Sequence, residues 1–199
     1  IRVYSGLDES ALEAFDRQPD KIKASVSSRD SIRPDDWICI NLDTFGDQQA
    51  LYAFYVNPLG IQGDSRYAAG KEDLSFDTVW YSAGRKDERG YTVEIRIPLK
   101  SIRFSDRDPV EMAIMFERRI SRHSENGTFP ALKPEQGLAF LTQLQPIMYD
   151  EVEHYTLLEL LPAITYGRQS GLTEGRRSVL RGAADLSLTM KYGFTSQLI

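Results

Sequence analysis

Residues 35–64, DDWICINLDTFGDQQALYAFYVNPLGIQGD, constrain the fold more than any other part of the chain. Across residues 37–42 every side chain except Asn41 is apolar or nearly so, and residues 50–56 are rich in aromatic and β-branched types, which suits positions in a sheet. Between them DTFGDQQ supplies the Asp and Gly that a hairpin connection needs. Two antiparallel strands are expected. After the second, Asn57, Pro58, Gly60, Gln62, Gly63 and Asp64 crowd together. Backbone bends and polar side chains converging at a strand end are where β domains commonly keep binding sites.

Strand-like runs recur at residues 1–4, 22–27, 38–42, 51–57, 79–83, 91–98 and 110–116. Turn material such as RPDD, FGDQ, NPLG, KDERG and SDRDP separates them, at roughly the spacing of an all-β sandwich. In TVEIRIP, Val93, Ile95 and Ile97 point one way while Thr92, Glu94 and Arg96 point the other, as in a sheet with one wet face. Helical signal is confined to short pieces at 9–15, 98–102 and 134–138. No internal repeat or low-complexity tract interrupts the pattern.

With 199 residues, the chain is long enough for one domain plus a fragment, or for two small domains, with a substantial core. Apolar residues at 41% and aromatics at 11% exclude a disordered polymer. A net charge of −5 and the lack of an early basic patch argue against nucleic acid as a partner. The single cysteine, Cys39, sits in an apolar strand and reads as a small buried hydrophobe, so no intrachain disulfide can form. There is no apolar run of about 18 residues, the length of a membrane helix. Opening on IRVY and stopping within SQLI, the chain reads as a piece of a longer protein.

The character changes near residue 149. TLLELLPAITYG is strand-like, GRQSGLTEGRRSVLRG reads as a Gly- and Arg-rich loop, and the clearest alternation of the chain follows. Ala184, Leu186, Leu188, Met190 and Tyr192 fall on one side, and Asp185, Ser187, Thr189 and Lys191 on the other. This fits a membrane β-barrel strand with lipid outside and water inside, and equally an amphipathic strand of a soluble sheet. Tyr192-Gly193 is expected to turn the chain into FTSQLI.

The 35–64 stretch, then LSFDTVWYSAGR, GYTVEIRIPLKSIRF, FERRISR and LLELLPAITYG, resembles bacterial outer-membrane proteins that join an N-terminal family 9-like carbohydrate-binding domain to a C-terminal β-barrel. The resemblance implies an immunoglobulin-like antiparallel β-sandwich over residues 1–148, followed by the first strands of a barrel region over 149–199. It implies a location in the cell envelope, at the periplasm and outer membrane. One departure lies near the start: ESAL passes straight into EAFD, about four residues short of the usual strand. Residues missing near Leu12 and Glu13 are the favoured explanation, a clipped sheet edge the other.

Sugar-binding domains stack aromatic faces on pyranose C–H surfaces and surround them with planar polar groups. Trp80, Tyr67 and Tyr81 are available as platforms, with Asn57, Gln62, Asp64 and Arg66 as polar partners. Of these, Trp80, Tyr67, Asn57, Asp64 and Arg66 form the expected carbohydrate site. The competing reading makes Trp80 a core anchor and 57–64 an internally bonded turn. The resemblance also implies a sugar clamp of two Trp, a Glu and an Arg, at places that fall near Arg33, within 134–137, and at Cys39 and Tyr55. None of the four carries the residue type the clamp uses. A fold can be inherited without its ligand.

Asp43, Asp47, Asp64, Asp73 and Asp77 could supply oxygen ligands, so structural calcium is the one metal considered, although their spacing is no EF-hand loop and solvated turn carboxylates explain them. Haem carriage would have to use Met112, Met115, His123 or His154, without a CxxCH motif. Glu94 and Glu117 lie on separate strands with nothing to identify a glycosidase pair, and Ser121 and Ser124 beside His123 form no nucleophile elbow. Arg118, Arg119 and Arg122 with Glu117 and Glu125 read as a salt-bridged sheet end or a face toward the barrel. The expected function is therefore non-catalytic binding of a glycan or related polyhydroxy ligand, with no cofactor. An accessory domain of a glycoside hydrolase remains the enzyme-linked alternative. A plug or partner-binding module that has lost sugar binding, and a haem-binding sandwich, are the rival functions.

Overall fold

The computed structural model describes residues 2–5, 9–150, 152, 158–173 and 176–192. The chain divides into two compact units, Ile1–His154 and Tyr155–Ile199. The first holds the strands β1 (Arg2–Ser5), β2 (Glu9–Phe15), β3 (Trp37–Asp43), β4 (Ala50–Val56), β5 (Gln62–Ala68), β6 (Lys71–Asp73), β7 (Tyr81–Asp87), β8 (Gly90–Arg96), β9 (Val110–Ile120), β10 (Glu125–Phe129) and β11 (Gln145–Tyr149). They make an antiparallel sandwich. One sheet has the order β1-β2-β8-β7, and the larger runs β10-β9-β3-β4-β5-β6. β11 shares an edge of β9 with β10, taking the half from Val110 to Ile114 while β10 takes the half from Phe116 to Ile120.

Between the sheets lies a core of Leu12, Val93 and Ile95 from the smaller sheet and Ile38, Ile40, Phe54, Val56 and Met112 from the larger. Trp80 completes it, edge-on to Phe54 with ring centroids 5.2 Å apart. A second apolar cluster covers the opposite face of the larger sheet, where Trp37, Cys39, Leu51 and Met115 meet Ile32, Leu141 and Leu144. The larger sheet is thus covered on both faces, which explains why the central strand β3 is apolar almost throughout and buried at every position. β8 has one covered face, and its burial alternates accordingly.

The hairpin expected at DTFGDQQ forms, with Ile38 paired to Val56 and Leu42 to Tyr52. Asp43 closes its turn by accepting hydrogen bonds from the amides of Phe45, Gly46 and Gln48 at 3.2, 2.9 and 2.8 Å. The single turn expected after Pro98 is a short 3₁₀ helix, Leu99–Ser101, and a longer kinked one spans Pro134–Gln143.

Several expectations fail for local reasons. The helix expected at 9–15 is strand β2, because hydrogen bonds to β8 and burial of Leu12 and Ala14 under the sandwich outweigh weak helical periodicity. β2 passes through Leu12 and Glu13 in unbroken register. Residues 22–27 are irregular; Asp35 accepts from Ser25 N and Ser25 Oγ, so a side chain meets the needs a neighbouring strand would have met. The strand expected at 79–83 begins only at Tyr81, after Trp80 has turned into the core.

The second unit is an antiparallel hairpin of β12 (Leu158–Thr173) and β13 (Arg176–Tyr192), so the expected Gly- and Arg-rich loop is mostly strand. Leu160 pairs with Met190, Pro162 with Leu188, Ile164 with Leu186 and Tyr166 with Ala184. These pairs share one face. Leu161, Ala163 and Thr165 pair with Thr189, Ser187 and Asp185 on the other. The apolar face is open, with Leu186 80% and Ile164 75% exposed. The expected turn into residues 193–199 lies outside the described residues, as does His154.

Candidate functional site

The five residues expected to form a carbohydrate site do not converge. Trp80 is 3% exposed and belongs to the inter-sheet core. Its ring faces cannot meet a ligand. Asn57 is fully buried and holds its own turn together: Nδ2 donates to Ser25 O and Asp35 Oδ2, and Oδ1 accepts from the amides of Leu59 and Ile61. Asp64 accepts from Arg29 Nε and Nη2 at 3.0 and 2.7 Å and from Thr78 N at 3.0 Å. With Gln62 Nε2 donating to Trp80 O, this pins the segment that delivers Trp80 to the core. Arg66 lies 5.9 Å from the Tyr52 ring, and period-two alternation places Tyr67 on the opposite face of β5. Tyr81 is half exposed under the Arg96 guanidinium, 4.1 Å away.

Tyr67 instead lines a cleft of about 290 Å³ on the outer face of the larger sheet. The cleft exists because the cross-strand rows beneath it are short side chains: Cys39 lies between Glu117 and Tyr55, and Ala53 between Asn41 and Ser65. Its rim is aromatic. Tyr67 meets Phe140, carried by the 3₁₀ stretch, edge-on at 5.2 Å. Trp37 supports Tyr55 in the same way at 5.1 Å.

The polar groups of the cleft fall into two sets. Glu72 Oε1 accepts from Ser65 Oγ at 2.8 Å, Arg33 Nη2 at 3.0 Å and Tyr55 Oη at 3.1 Å. Burial acts to raise its pKa, but these hydrogen bonds and the Arg33 charge prevail and hold the carboxyl below its ordinary value. Glu117 accepts from Asn126 Nδ2 at 2.8 Å, and the Arg33 charge also favours its ionised form. Burial, aided by the like charge of Glu72, keeps its carboxyl above the ordinary value. Burial likewise pushes the Tyr55 hydroxyl upward, so it stays a neutral donor. Asn41 approaches Glu117 without reaching hydrogen-bond geometry; its Nδ2 is buried and has no partner. A buried donor without an acceptor is costly and marks a place for a ligand oxygen or a water.

Sequence reasoning named Tyr67 for this role and missed Asn41, Tyr55, Ser65, Glu72 and Phe140. One signal was present: Asn41 is the lone polar residue in the middle of an apolar strand.

The remaining constellations are accounted for locally. Asp47 accepts from Gln49 N, Asp73 from Ser75 and Asp77 pairs with Arg29, so these carboxylates serve turns and one guanidinium. Among the described residues no three His, Cys, Asp or Glu converge as a metal site. Met112 is in the sandwich core, Met115 in the outer cluster, and His123 is exposed beside Arg122. The arginine cluster has a partner the sequence did not reveal: Arg118 and Arg122 clamp Asp16 at 3.2 and 2.7 Å, joining the end of β2 to the larger sheet.

No family model and no curated protein matches the chain. Among solved structures it is similar to a Bacteroides uniformis protein for which carbohydrate binding has been suggested, with 15% identity and a TM-score of 0.42. The match covers 61% of this chain and 62% of that one, so the chain spans less than two thirds of its length. A likeness of this size carries no argument about ligand or activity.

Proposed function

We propose that this chain is a non-catalytic carbohydrate-binding module of a bacterial envelope protein, and that its ligand occupies the cleft on the outer face of the larger sheet. The observation that carries the reading is the unpartnered Asn41 Nδ2 at the floor of a cleft that Tyr67 and Phe140 wall. Stacking faces beside free hydrogen-bonding groups are what a sugar ring requires. The cleft is near the lower end of ligand pockets, about 300–1,000 Å³, and suits a short saccharide. Tyr55, one of the places to which the sequence resemblance points, lines it, and two others, Arg33 and Cys39, lie beside Tyr55. In the same reading β12 and β13 open an outer-membrane barrel, with the Leu160, Ile164, Leu186 and Leu188 face toward lipid.

Titrating the full chain against a panel of mono- and disaccharides, followed by Trp fluorescence, tests the site, because Trp37 packs edge-on against Tyr55 at the cleft. Saturable binding that Tyr67→Ala weakens about fivefold or more is expected, stacking on one ring being worth about 1 kcal/mol or more. A flat response across the panel, or unaltered affinity in the variant, would remove the reading. The second reading, a plug or partner-binding module without sugar binding, is favoured by one observation: Trp80, Asn57 and Asp64 are all consumed inside the fold.

A further inference from the structure

Resting on the carbohydrate reading of the cleft, we infer that its preferred ligand is an amino sugar, with Asn41 meeting ring oxygens and Glu117 meeting the ammonium group. A neutral sugar needs donors and acceptors but no charge. The cleft offers more negative charge than the protein balances. Glu72 is paired with Arg33 at 3.0 Å. Glu117 has no ion pair among the described residues. Arg119 reaches it only through Asn126, whose Oδ1 accepts from Arg119 Nη1 while its Nδ2 donates to Glu117. The Tyr55 and Tyr67 hydroxyls and the Cys39 thiol bring no positive charge.

A half-buried carboxylate without an ion pair of its own, reached only at a distance by the Arg33 charge, is costly, and a bound ammonium would relieve that cost. The aromatic lining favours the same cation, because the rings of Tyr67 and Phe140 attract positive charge and only the Tyr55 ring already carries a guanidinium, that of Arg33. Burial keeps the Glu117 pKa raised although the Asn126 hydrogen bond and the Arg33 charge act against it, so compensation within the protein is incomplete. The unpartnered Asn41 donor adds the hydroxyl-binding half, so the cleft presents the complement of a ring carrying both oxygens and a charged nitrogen.

The test is calorimetric titration of the full chain with glucosamine, glucose and N-acetylglucosamine, with the glucosamine amine protonated. Glucosamine should bind about tenfold or more tightly than either neutral sugar, the order of one ion pair in a partly buried site. Glu117→Gln should abolish that preference, bringing glucosamine to the affinity of glucose measured on the same variant. Removing a partly buried charge while keeping its shape should not lower Tm, and an unchanged thermal melt separates a binding effect from a folding one. Equal affinity for glucosamine and glucose, or a preference that survives Glu117→Gln, overturns the amino-sugar inference and leaves the carbohydrate reading standing. Binding of none of the three overturns both.

Discussion

Asn57 satisfies two backbone amides, one carbonyl and one carboxylate from a position without solvent exposure. Asn57→Ala strands all four partners at once and should cost about 2–4 kcal/mol, since each unmet buried group costs about 1–3 kcal/mol and some will recruit water. Urea unfolding with an unchanged m-value would measure it. Asp16 makes the second prediction at this scale. Its side chain is 2% exposed between Arg118 and Arg122. Burial acts to raise its pKa, yet the Arg122 hydrogen bond, the Gln18 amide and both guanidinium charges hold it below the ordinary 3.8. A carboxylate depressed in the folded state contributes stability that is fully present above its unfolded value and lost as pH falls through the folded one. Asp16→Asn should cost about 1–3 kcal/mol at neutral pH, because Arg118 and Arg122 lose their shared carboxylate while Asp36 still offsets part of their charge. That gap should close as pH drops below 3.8. Asp43 and Asp64, raised chiefly by burial, respond in the opposite sense, so the difference between wild type and variant at each pH is the measurement.

At the level of elements, the turn after β4 and strand β7 approach backbone to backbone. A Cβ on Gly84 would collide with the Gly60 amide, and Gly60 itself holds φ at +81°. Ser82 Oγ donates to Gly60 O in the same contact. Gly84→Ala must push the turn off the sheet and should cost about 1–3 kcal/mol, the range for overpacking. Faster hydrogen exchange at Leu59 and Ile61 than in the wild type would locate the damage. The turn and its strands illustrate what could be read in advance. β3, β4 and β8 announce themselves because their apolar residues are dictated by the core they enter. β5, QGDSRYA, and β10, ENGTF, do not, because their partners are Arg29, Glu72, Arg119 and Glu117 side chains or solvent rather than a continuous apolar layer.

For the whole molecule, the hairpin of the second unit carries the prediction that separates lipid from water. If its apolar face meets lipid, Leu188→Arg should cost about 2–4 kcal/mol near the bilayer midplane, and Ser187→Arg on the opposite face close to nothing. Co-flotation of the full chain with lipid vesicles measures both. Equal retention of the two variants would return β12 and β13 to the status of an amphipathic ribbon. Hydrophobic alternation, hairpin residues and charge balance are local properties, and by themselves they determined that this is an all-β sandwich followed by a differently patterned tail. Which polar residues line the outer cleft was decided only by tertiary structure. Trp80, Asn57 and Asp64 look available along the chain, and folding commits them to core and turn. Asn41, Tyr55, Glu72, Tyr67 and Glu117 come from five different strands or their ends, and only the pairing of those strands brings them to one face. Spacing along a chain cannot encode that pairing, because it is fixed by cross-strand hydrogen bonds and by burial on both sides of the sheet.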